Sequence, residues 1–457
     1  MKIPPCSTLI GLFFLNGLLF AQSFKISEGL SETDRRRFQR FETFQIKGVC
    51  GDADLDRLAG LGVNTVRGYS IKDPEDVRKK LDHAHRLGMK MVVSEWMPHQ
   101  GENKDKKGGV WSFDYHAKGD QMVSNLVKKV EAIGDHPALL MWGLGNEVHL
   151  DEPYLRVANR MSLEIHKRFP HHLTSLTMVN AKPEGIEAVK KFAPDIDVLG
   201  IQSYSRGAVY GSIKKTEELW GKPFYMSEFN TNGPWNFGKT PWGVENDEPV
   251  TKKVSDLKAC YASIDASPLC LGSTIFVWGH ALPYRPTYFS LLLDPDPNGQ
   301  GDKESFDHLM MTPQADVMTE HFTGRPPKGN RAPVLSKLEF EGGTNYRFAN
   351  PGEPMNVTFS AQDPDGDTIT FVTWILDSTE RRTTRVAGPF PQASPGHAVI
   401  PAPSVNGEYL LMVYAIDQKG GASASTIAFK VPTPVVETPV PAPTVPTPMP
   451  VVPTVKP

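Results

Sequence analysis

The sequence has few cysteines and almost no net charge, and each shortage excludes a class of protein. Four cysteines occur in 457 residues, and the formal net charge is -3. Cysteines this sparse, spaced like neither a zinc site nor a disulfide framework, exclude a small cross-linked scaffold. Cys260 and Cys270 could form one bridge, but we expect two buried free thiols. Without an excess of basic residues the surface cannot hold a phosphate backbone, so we expect no nucleic-acid partner.

One apolar segment near the N-terminus is too short to span a membrane comfortably. It runs from Leu9 to Phe20, follows Met1-Lys2, and is succeeded by the small residue Ala21. A basic start, a short apolar stretch and a small residue at a cleavage position are typical of an export signal. We therefore predict a signal peptide over residues 1–21 and a secreted, periplasmic or cell-surface protein. The alternative is an anchor that is not cleaved.

From residue 44 to residue 322, apolar runs alternate with segments of helical period. This alternation predicts parallel strands covered by helices. The predicted strands are 44–49, 63–69, 89–96, 138–143, 173–179, 198–204, 223–227 and 272–278. Eight strands over this length favour an α/β fold closed as a (β/α)8 TIM barrel. A doubly wound open sheet is the structural alternative.

Two of the helices have recognisable starts. Asp52 is placed to cap the first helix, which Gly62 should end. Asp73 and Pro74 then stand in the favoured order of a cap followed by the first helical residue.

After Phe322 the sequence changes to a turn-rich linker and then to short alternating strands. We predict an immunoglobulin-like all-β sandwich over residues 326–432, behind a barrel unit that spans residues 22–325. Residues 433–457 consist almost wholly of Pro, Thr and Val with few charges, and we predict that this Pro-rich tail is disordered.

Two predicted barrel strands end in glutamate. The fourth strand leads into Gly145-Asn146-Glu147, and the seventh leads into Glu228. Active sites of such barrels lie at the carboxyl ends of the strands, so these side chains should meet there. Cleavage of a glycosidic bond needs one carboxyl group to protonate the leaving oxygen and another to attack or to activate water. A single glutamate in such a place could be a surface residue, but two at matching strand ends indicate a site.

In these motifs the chain resembles the clan-A glycoside hydrolases. The resemblance is carried by His136-Pro137-Ala138, Asn146-Glu147 and Glu228, and covers about residues 40–325. Within that clan it is most similar to the β-galactosidase and β-glucuronidase type of barrel and to bacterial β-1,3-glucanases and glucanosyltransferases. The sandwich domains that precede the barrel in the β-galactosidase type are missing here, which favours an enzyme with a polysaccharide cleft.

The resemblance implies a retaining double displacement on a β-linked polysaccharide or oligosaccharide, with a β-glucan as the expected substrate. Glu228 would be the nucleophile and Glu147 the acid and base, with their carboxyl groups about 5–5.5 Å apart. Transglycosylation is the variant in which a sugar hydroxyl replaces water. The alternative from another class is a non-catalytic carbohydrate-binding or cell-envelope structural protein that keeps the barrel.

The resemblance also implies supporting roles. Arg67 would pair with the nucleophile, unless it is only a salt bridge at the barrel rim. Asn146 would hold the sugar 2-hydroxyl. Tyr204 would contact the nucleophile, with a core tyrosine as the alternative. Gln202 stands where many relatives carry His or Asn.

Further aromatic and acidic residues are expected around the sugar. The resemblance implies that Trp278 is the floor under the sugar at the cleavage point, because sugars present flat C–H faces to aromatic rings. Trp96, Trp235 and Trp242 could line further subsites or serve as packing. Glu95, after the third strand, is expected to bind a hydroxyl group.

We expect no cofactor and no metal. His149, His171, His172 and His280 lack ligand spacing and are read as polar residues of the rim. The run Asp363-Pro364-Asp365-Gly366-Asp367 is either a tight turn, the interpretation we favour, or a calcium loop. The sandwich and tail are candidates for contact with polysaccharide or the cell envelope.

Overall fold

The computed structural model describes residues 31–104, 109–280, 285–294, 306–378, 384–390, 392 and 396–433. The predicted export segment and the Pro-rich tail from residue 434 onward lie outside these ranges. Among the helices described, none combines the length and apolar character needed to cross a membrane.

Helices and strands alternate through the described residues between Glu32 and Thr323. The strands are β1 (Ile46–Cys50), β2 (Thr65–Arg67), β3 (Lys90–Glu95), β4 (Gly101–Lys104), β5 (Val110–Phe113), β6 (Leu139–Leu144), β7 (Leu173–Val179), β8 (Val198–Tyr204), β9 (Phe224–Asn230), β10 (Cys270–Ile275), β11 (Leu292–Leu293) and β12 (Met310–Met311). The α-helices are α1 (Glu32–Phe38), α2 (Leu55–Gly60), α3 (Pro74–Arg86), α4 (Tyr115–Ile133), α5 (Glu152–Arg168), α6 (Pro183–Phe192), α7 (Arg206–Leu219), α8 (Val250–Asp265), α9 (Pro286–Phe289) and α10 (Pro313–Thr323). Two 3-10 turns are Gln39–Glu42 and Pro234–Asn236.

Eight of these strands close into a parallel barrel. Their order around the ring is β1, β2, β3, β6, β7, β8, β9 and β10, and β10 pairs again with β1. Every residue of β6 and of β10 is buried, as expected for strands covered on both faces. The predicted TIM barrel is confirmed, and the open sheet is wrong.

The barrel closes tightly where β10 meets β1. Gly272 has φ +114, and a Cβ there would lie 2.2 Å from the carbonyl oxygen of Ile46. Only glycine fits this position, because a side chain would be strained by the backbone and would overlap the neighbouring strand. At the amino ends of the strands, Phe38 and Phe41 from α1 and the following turn pack against Met141 and Tyr225 and cover the barrel.

Some strand limits agree with the sequence prediction and others do not. β2 is shorter than the predicted 63–69, and β10 ends at Ile275, three residues before the predicted end at Trp278. The strands predicted over 173–179 and 198–204 have those bounds in the structure. The seventh strand was predicted to stop at residue 227, but β9 continues to Asn230 and pairs Glu228 with Gln202. Polar residues continue this strand because they are buried against β8, which a pattern of apolar residues cannot reveal.

One predicted helix cap is wrong and one is confirmed. Asp52 accepts from Lys80 Nζ at 2.9 Å instead of capping α2, and Asp54 occupies the cap position with φ 52. Asp73 caps α3 by accepting from the N–H of Glu75. Cys50, Cys260 and Cys270 are buried free thiols, as expected.

The remaining strands form a β-sandwich. They are β13 (Val334–Phe340), β14 (Tyr346–Phe348), β15 (Pro354–Gln362), β16 (Thr370–Asp377), β17 (Thr384–Phe390), β18 (His397–Pro401), β19 (Gly407–Ile416) and β20 (Ala422–Val431). One sheet has the order β13-β15-β18 and the other β14-β20-β19-β16-β17. Leu335, Val357, Ile375, Leu411 and Phe429 from the two sheets share one core.

A buried ion pair joins the barrel to the sandwich. Asp247 precedes α8, and its Oδ1 lies 2.6 Å from Lys253 Nζ, with side-chain exposures of 0% and 1%. The other oxygen, Oδ2, accepts from the backbone N–H of Thr426 on β20 at 3.2 Å. Lys253 also donates to the carbonyl oxygen of Thr287 at 2.7 Å. The Asp247 carboxylate therefore neutralises the buried Lys253 ammonium and also accepts a hydrogen bond from the sandwich.

We predict that Asp247→Ala lowers the free energy of unfolding by about 3–5 kcal/mol, because it leaves the Lys253 ammonium buried without a counter-charge. Urea unfolding followed by circular dichroism measures the change. The double variant Asp247→Ala with Lys253→Met should recover most of the loss. A single variant within about 1 kcal/mol of wild type would contradict a structural role for the pair.

Candidate active site

The carboxyl ends of four barrel strands bring together the polar residues singled out from the sequence. β2 ends in Arg67, β8 contributes Gln202 and Tyr204, and β9 contributes Glu228. The loop after β6 supplies Asn146 and Glu147. We refer to this end of the barrel as its mouth.

Glu228 is held at both carboxylate oxygens. Its residue is 4% exposed, and Oε1 accepts from Arg67 Nη1 at 2.8 Å and from the Tyr69 hydroxyl at 2.7 Å. Oε2 accepts from the Tyr204 hydroxyl at 2.8 Å. Three donors converge on this group, so its position is fixed and its negative charge is compensated.

Both tyrosines keep their protons for this task. Burial first, and then neighbouring groups that include Glu228, raise the pKa of Tyr69 and of Tyr204 far above the usual value for a phenol. Each hydroxyl therefore stays protonated and donates to the carboxylate. Tyr69 was not singled out in the sequence, although it stands two positions after Arg67 and so on the same side of an extended segment.

Arg67 connects Glu228 to the amide of Asn146. The arginine is fully buried, and its Nη2 donates to Asn146 Oδ1 at 2.6 Å. Gln202 Nε2 donates to the same oxygen at 2.7 Å. With Oδ1 accepting both bonds, the orientation of the Asn146 amide is fixed.

Glu147 has a different environment from Glu228. By accessible surface Glu147 is an exposed residue, but protein surrounds its carboxyl group closely. The resulting desolvation raises the pKa of Glu147 to about 7. The negative charge of Glu228 adds to this rise, and Arg67 opposes it. Among the described residues, no side chain donates a hydrogen bond to the Glu147 carboxyl group. Glu147 is therefore the group that keeps a proton near neutral pH.

The backbone around Glu147 has a strained conformation and is held in place by hydrogen bonds to neighbouring side chains. Glu147 has φ 54, and Gly145 has φ 95 with no room for a Cβ, which would lie 2.6 Å from the Tyr154 hydroxyl. The N–H of Glu147 donates to Thr177 Oγ1 at 3.3 Å, and the N–H of His149 donates to His99 Nδ1 at 3.2 Å. Glycine is therefore required at position 145, before Asn146-Glu147, because a side chain there would overlap Tyr154.

Two grooves lie beside residues of this cluster. One of about 420 Å³ is lined by Glu147 and by the largely apolar set Val148, Leu150, Met178 and Val179. The other, of about 550 Å³, is lined by Arg67 and Tyr69 and by charged residues that include Asp52, Lys72 and Lys80. Open space therefore adjoins Glu147 and, separately, the residues Arg67 and Tyr69 that contact Glu228.

Two expected site residues are engaged by residues outside this cluster. Both oxygens of Glu95 accept from Lys129 Nζ, at 2.6 and 2.8 Å, so its role in binding a hydroxyl group stays a prediction. Trp278 is 4% exposed, and the Arg57 guanidinium carbon lies 5.6 Å from the centre of its ring. The structure places this ring in the core, and its role as a sugar floor also stays a prediction.

The histidines need a correction. His171 and His172 precede β7, so they lie at the amino end of the barrel and not at the mouth. They approach Asp135 closely enough for a metal, but Trp142 Nε1 donates to His172 Nδ1 at 3.0 Å while His172 Nε2 faces Asp135 Oδ1 at 3.0 Å. Hydrogen bonding therefore accounts for both nitrogens of His172.

The acidic run of the sandwich has the contacts of a turn. Asp363 Oδ1 accepts from the backbone N–H groups of Asp365 and Asp367, at 2.8 and 3.1 Å. Arg331 pairs with Asp365 at 2.8 Å, and Lys419 pairs with Asp367 at 2.7 Å. These contacts agree with the turn interpretation of the run.

Comparison with known proteins gives distant structural likenesses. No protein-family model matches the chain, and no curated protein sequence does. A solved β-glucuronidase 2 of Bacteroides uniformis is 15% identical, with a TM-score of 0.42, over 85% of this chain and 46% of that one. A putative β-galactosidase of Bacteroides fragilis is 14% identical, with a TM-score of 0.45, over 85% and 55%. A β-galacturonidase of Eisenbergiella tayi is 15% identical, with a TM-score of 0.41, over 62% and 52%.

The chain thus spans about half the length of these structures. Likenesses this weak say nothing about its activity.

We predict that Glu147→Gln stabilises the protein at alkaline pH only. The pKa of Glu147 in the folded protein, about 7, lies above the value of about 4.3 in the unfolded chain. Protonated Glu147 therefore contributes its full stability below pH about 4, and this contribution is lost as the pH rises through about 7. Melting temperatures of wild type and variant should agree at pH 4.5, and the variant should melt higher at pH 8.5. The difference will be small, because solvent screens an exposed residue. Equal melting temperatures at both pH values would contradict the raised pKa.

Proposed function

We propose that this chain is a retaining glycoside hydrolase or transglycosylase that acts on a β-linked glycan by double displacement. One observation carries the proposal: a buried carboxylate with three donors, Glu228, shares the mouth with Glu147, whose pKa is about 7. Two carboxyl groups in contrasting environments are what acid and nucleophile require at one pH.

In the first step, a carboxylate oxygen of Glu228 attacks the anomeric carbon of the sugar. The bond from that carbon to the leaving oxygen breaks, and the proton of Glu147 passes to the leaving oxygen. The product is a glycosyl ester of Glu228. In the second step, Glu147 removes a proton from water or a sugar hydroxyl, whose oxygen bonds to the anomeric carbon as the ester bond breaks. Two inversions give net retention.

The surrounding side chains fit these steps. Arg67, Tyr69 and Tyr204 compensate the charge of Glu228 before attack, and their bonds weaken as that charge moves into the ester. Asn146 has its oxygen occupied by Arg67 and Gln202, so its amide N–H groups are the part left to donate to a sugar 2-hydroxyl. Hydrogen bonds to developing charge are worth most in such a preorganised site.

The substrate class that we propose is a β-glucan, for example a β-1,3-glucan, and we propose that the protein acts after export from the cytoplasm. Both chemical roles belong to side chains of this chain, so the proposed reaction needs no cofactor.

We predict that wild type cleaves at least one of the β-glucosyl, β-galactosyl and β-glucuronyl fluorides, and a β-linked oligosaccharide of the same sugar. Glu228→Gln should lose on the order of 10³-fold or more in kcat on both substrates, because it removes the nucleophile. Glu147→Gln should lose about 10²- to 10⁴-fold in kcat/KM on the oligosaccharide but little in kcat/KM on the fluoride, because fluoride leaves without a proton. Its kcat on the fluoride should still fall, because hydrolysis of the glycosyl ester then lacks a base. Initial rates by fluoride electrode and by chromatography measure these effects.

The matched control is Glu187→Gln, which alters an exposed glutamate on α6 that pairs with Lys190. Adding azide to Glu147→Ala should yield a β-glycosyl azide, since azide attacks the ester without a base. An α-configured azide would contradict retention. No turnover of any glycan, with equal glycan binding by wild type and Glu228→Gln, would favour the carbohydrate-binding alternative.

We predict a pH profile in which kcat/KM for the oligosaccharide falls above pH about 7, by about tenfold for each further pH unit. The sign follows from the need for protonated Glu147 in the first step, and kcat/KM reports the free enzyme. For the glycosyl fluoride this alkaline fall should be absent. The same fall for both substrates would assign it to another group.

A further inference from the structure

Trp235 is a large aromatic side chain that stays open to solvent near the candidate site. It is 58% exposed and lies in the 3-10 turn Pro234–Asn236, in the loop that follows β9. An indole that exposed, beside buried polar groups, is a candidate for ligand contact.

The ring is linked to Glu228 through a single side chain. Its centre lies 5.4 Å from that of Tyr204, at an interplanar angle of 86°. The hydroxyl of Tyr204 in turn donates to Glu228 Oε2 at 2.8 Å. The indole therefore lies one side chain away from the carboxylate that we propose as nucleophile.

The position of the indole is fixed from behind. Phe289 lies 6.1 Å from it, ring centre to ring centre, and also packs against Tyr204 at 4.9 Å. Gly233 makes room for the ring, because a Cβ there would lie 2.5 Å from the indole carbon Cζ2. A ring packed in this way loses little freedom when a ligand binds to its open side.

Trp278, the tryptophan expected to contact the sugar, offers no such surface. It is 4% exposed, with the Arg57 guanidinium 5.6 Å from its ring centre. Its indole nitrogen is buried without a hydrogen-bond partner among the described residues. Of these two tryptophans, only Trp235 has a ring surface open to a ligand.

We propose that Trp235, and not Trp278, supplies the aromatic surface on which the sugar next to Glu228 stacks, with Gly233 and Tyr204 as the residues that position its ring. The proposal rests on the proposed function, because it places the sugar by reference to the nucleophile. Flat C–H faces of sugars pack on aromatic rings, and an open indole beside the reacting carboxylate can orient the anomeric carbon for attack.

The test compares five variants of the full chain on the best glycosyl fluoride and its matching oligosaccharide. We expect Trp235→Ala to lower kcat/KM on both substrates by about tenfold or more, equivalent to about 1.4 kcal/mol. Trp235→Phe should restore most of that loss. Gly233→Ala should lower kcat/KM without removing the indole, because the new Cβ displaces the ring. Tyr210→Ala, which removes an equally exposed aromatic ring from α7 (56%), should stay within about threefold of wild type. Trp278→Phe should lower kcat/KM less than Trp235→Ala does.

Two results would overturn the proposal while leaving the proposed function intact. One is Trp235→Ala behaving like Tyr210→Ala, and the other is a larger loss in Trp278→Phe than in Trp235→Ala at equal urea stability. If wild type cleaves no glycan, the proposed function fails. Calorimetric titration of wild type and Trp235→Ala with a β-1,3-linked glucose tetramer then tests whether the Trp235 ring binds a sugar. Binding by wild type that Trp235→Ala abolishes supports it, whereas equal binding or none overturns it.

Discussion

The ion pair between Arg67 and Glu228 is the contact on which the arrangement of the mouth depends. It joins β2 to β9 with an arginine that is fully buried, and burial of both charges is unfavourable unless further hydrogen bonds offset the lost hydration. Tyr69 and Tyr204 supply such bonds to the carboxylate, and Asn146 accepts one from the arginine. Four separate strand ends are therefore tied together by one compensated charge.

The two glutamates differ because their surroundings differ, not because their residue type does. Glu228 receives three side-chain donors, whereas within the part of the chain that the structure describes none reaches the Glu147 carboxyl group. Desolvation and the nearby negative charge then act on Glu147 with little opposition apart from Arg67, and its pKa rises to about 7. An environment that raises the pKa of one carboxyl group allows it to stay protonated near neutral pH beside a second carboxyl group that hydrogen bonds hold in place.

The sequence predicted correctly the features that rest on a repeating pattern of residues. It did not predict contacts that depend on the direction of a single side chain. The barrel was predictable because buried parallel strands are apolar throughout. The position of the two glutamates at the mouth was predictable because Glu228 lies near the carboxyl end of β9 and Glu147 follows the end of β6. Tyr69 was missed although its place two residues after Arg67 puts it on the same side of an extended segment, because its contact with Glu228, 159 positions later, is not part of any local pattern. The end of β9 was placed too early because buried polar residues continue it. For Trp278, the packing partner Arg57 comes from α2, more than two hundred positions earlier in the chain, and no local pattern predicts that contact.

The loop after β9 is connected to the sandwich by hydrogen bonds. Asn232, next to Gly233, donates to Glu248 Oε1 at 2.7 Å, and the neighbouring Asp247 accepts from Thr426 of the sandwich and pairs with Lys253. A continuous line of hydrogen bonds and chain therefore runs from β20 to the turn that holds Trp235. The indole of Trp235 packs against Tyr204 and Phe289. The loop that carries the indole is connected to the sandwich, so the sandwich supports the position of this loop. Through this route the sandwich can affect the proposed sugar binding only by fixing the position of the loop between Asn230 and α8.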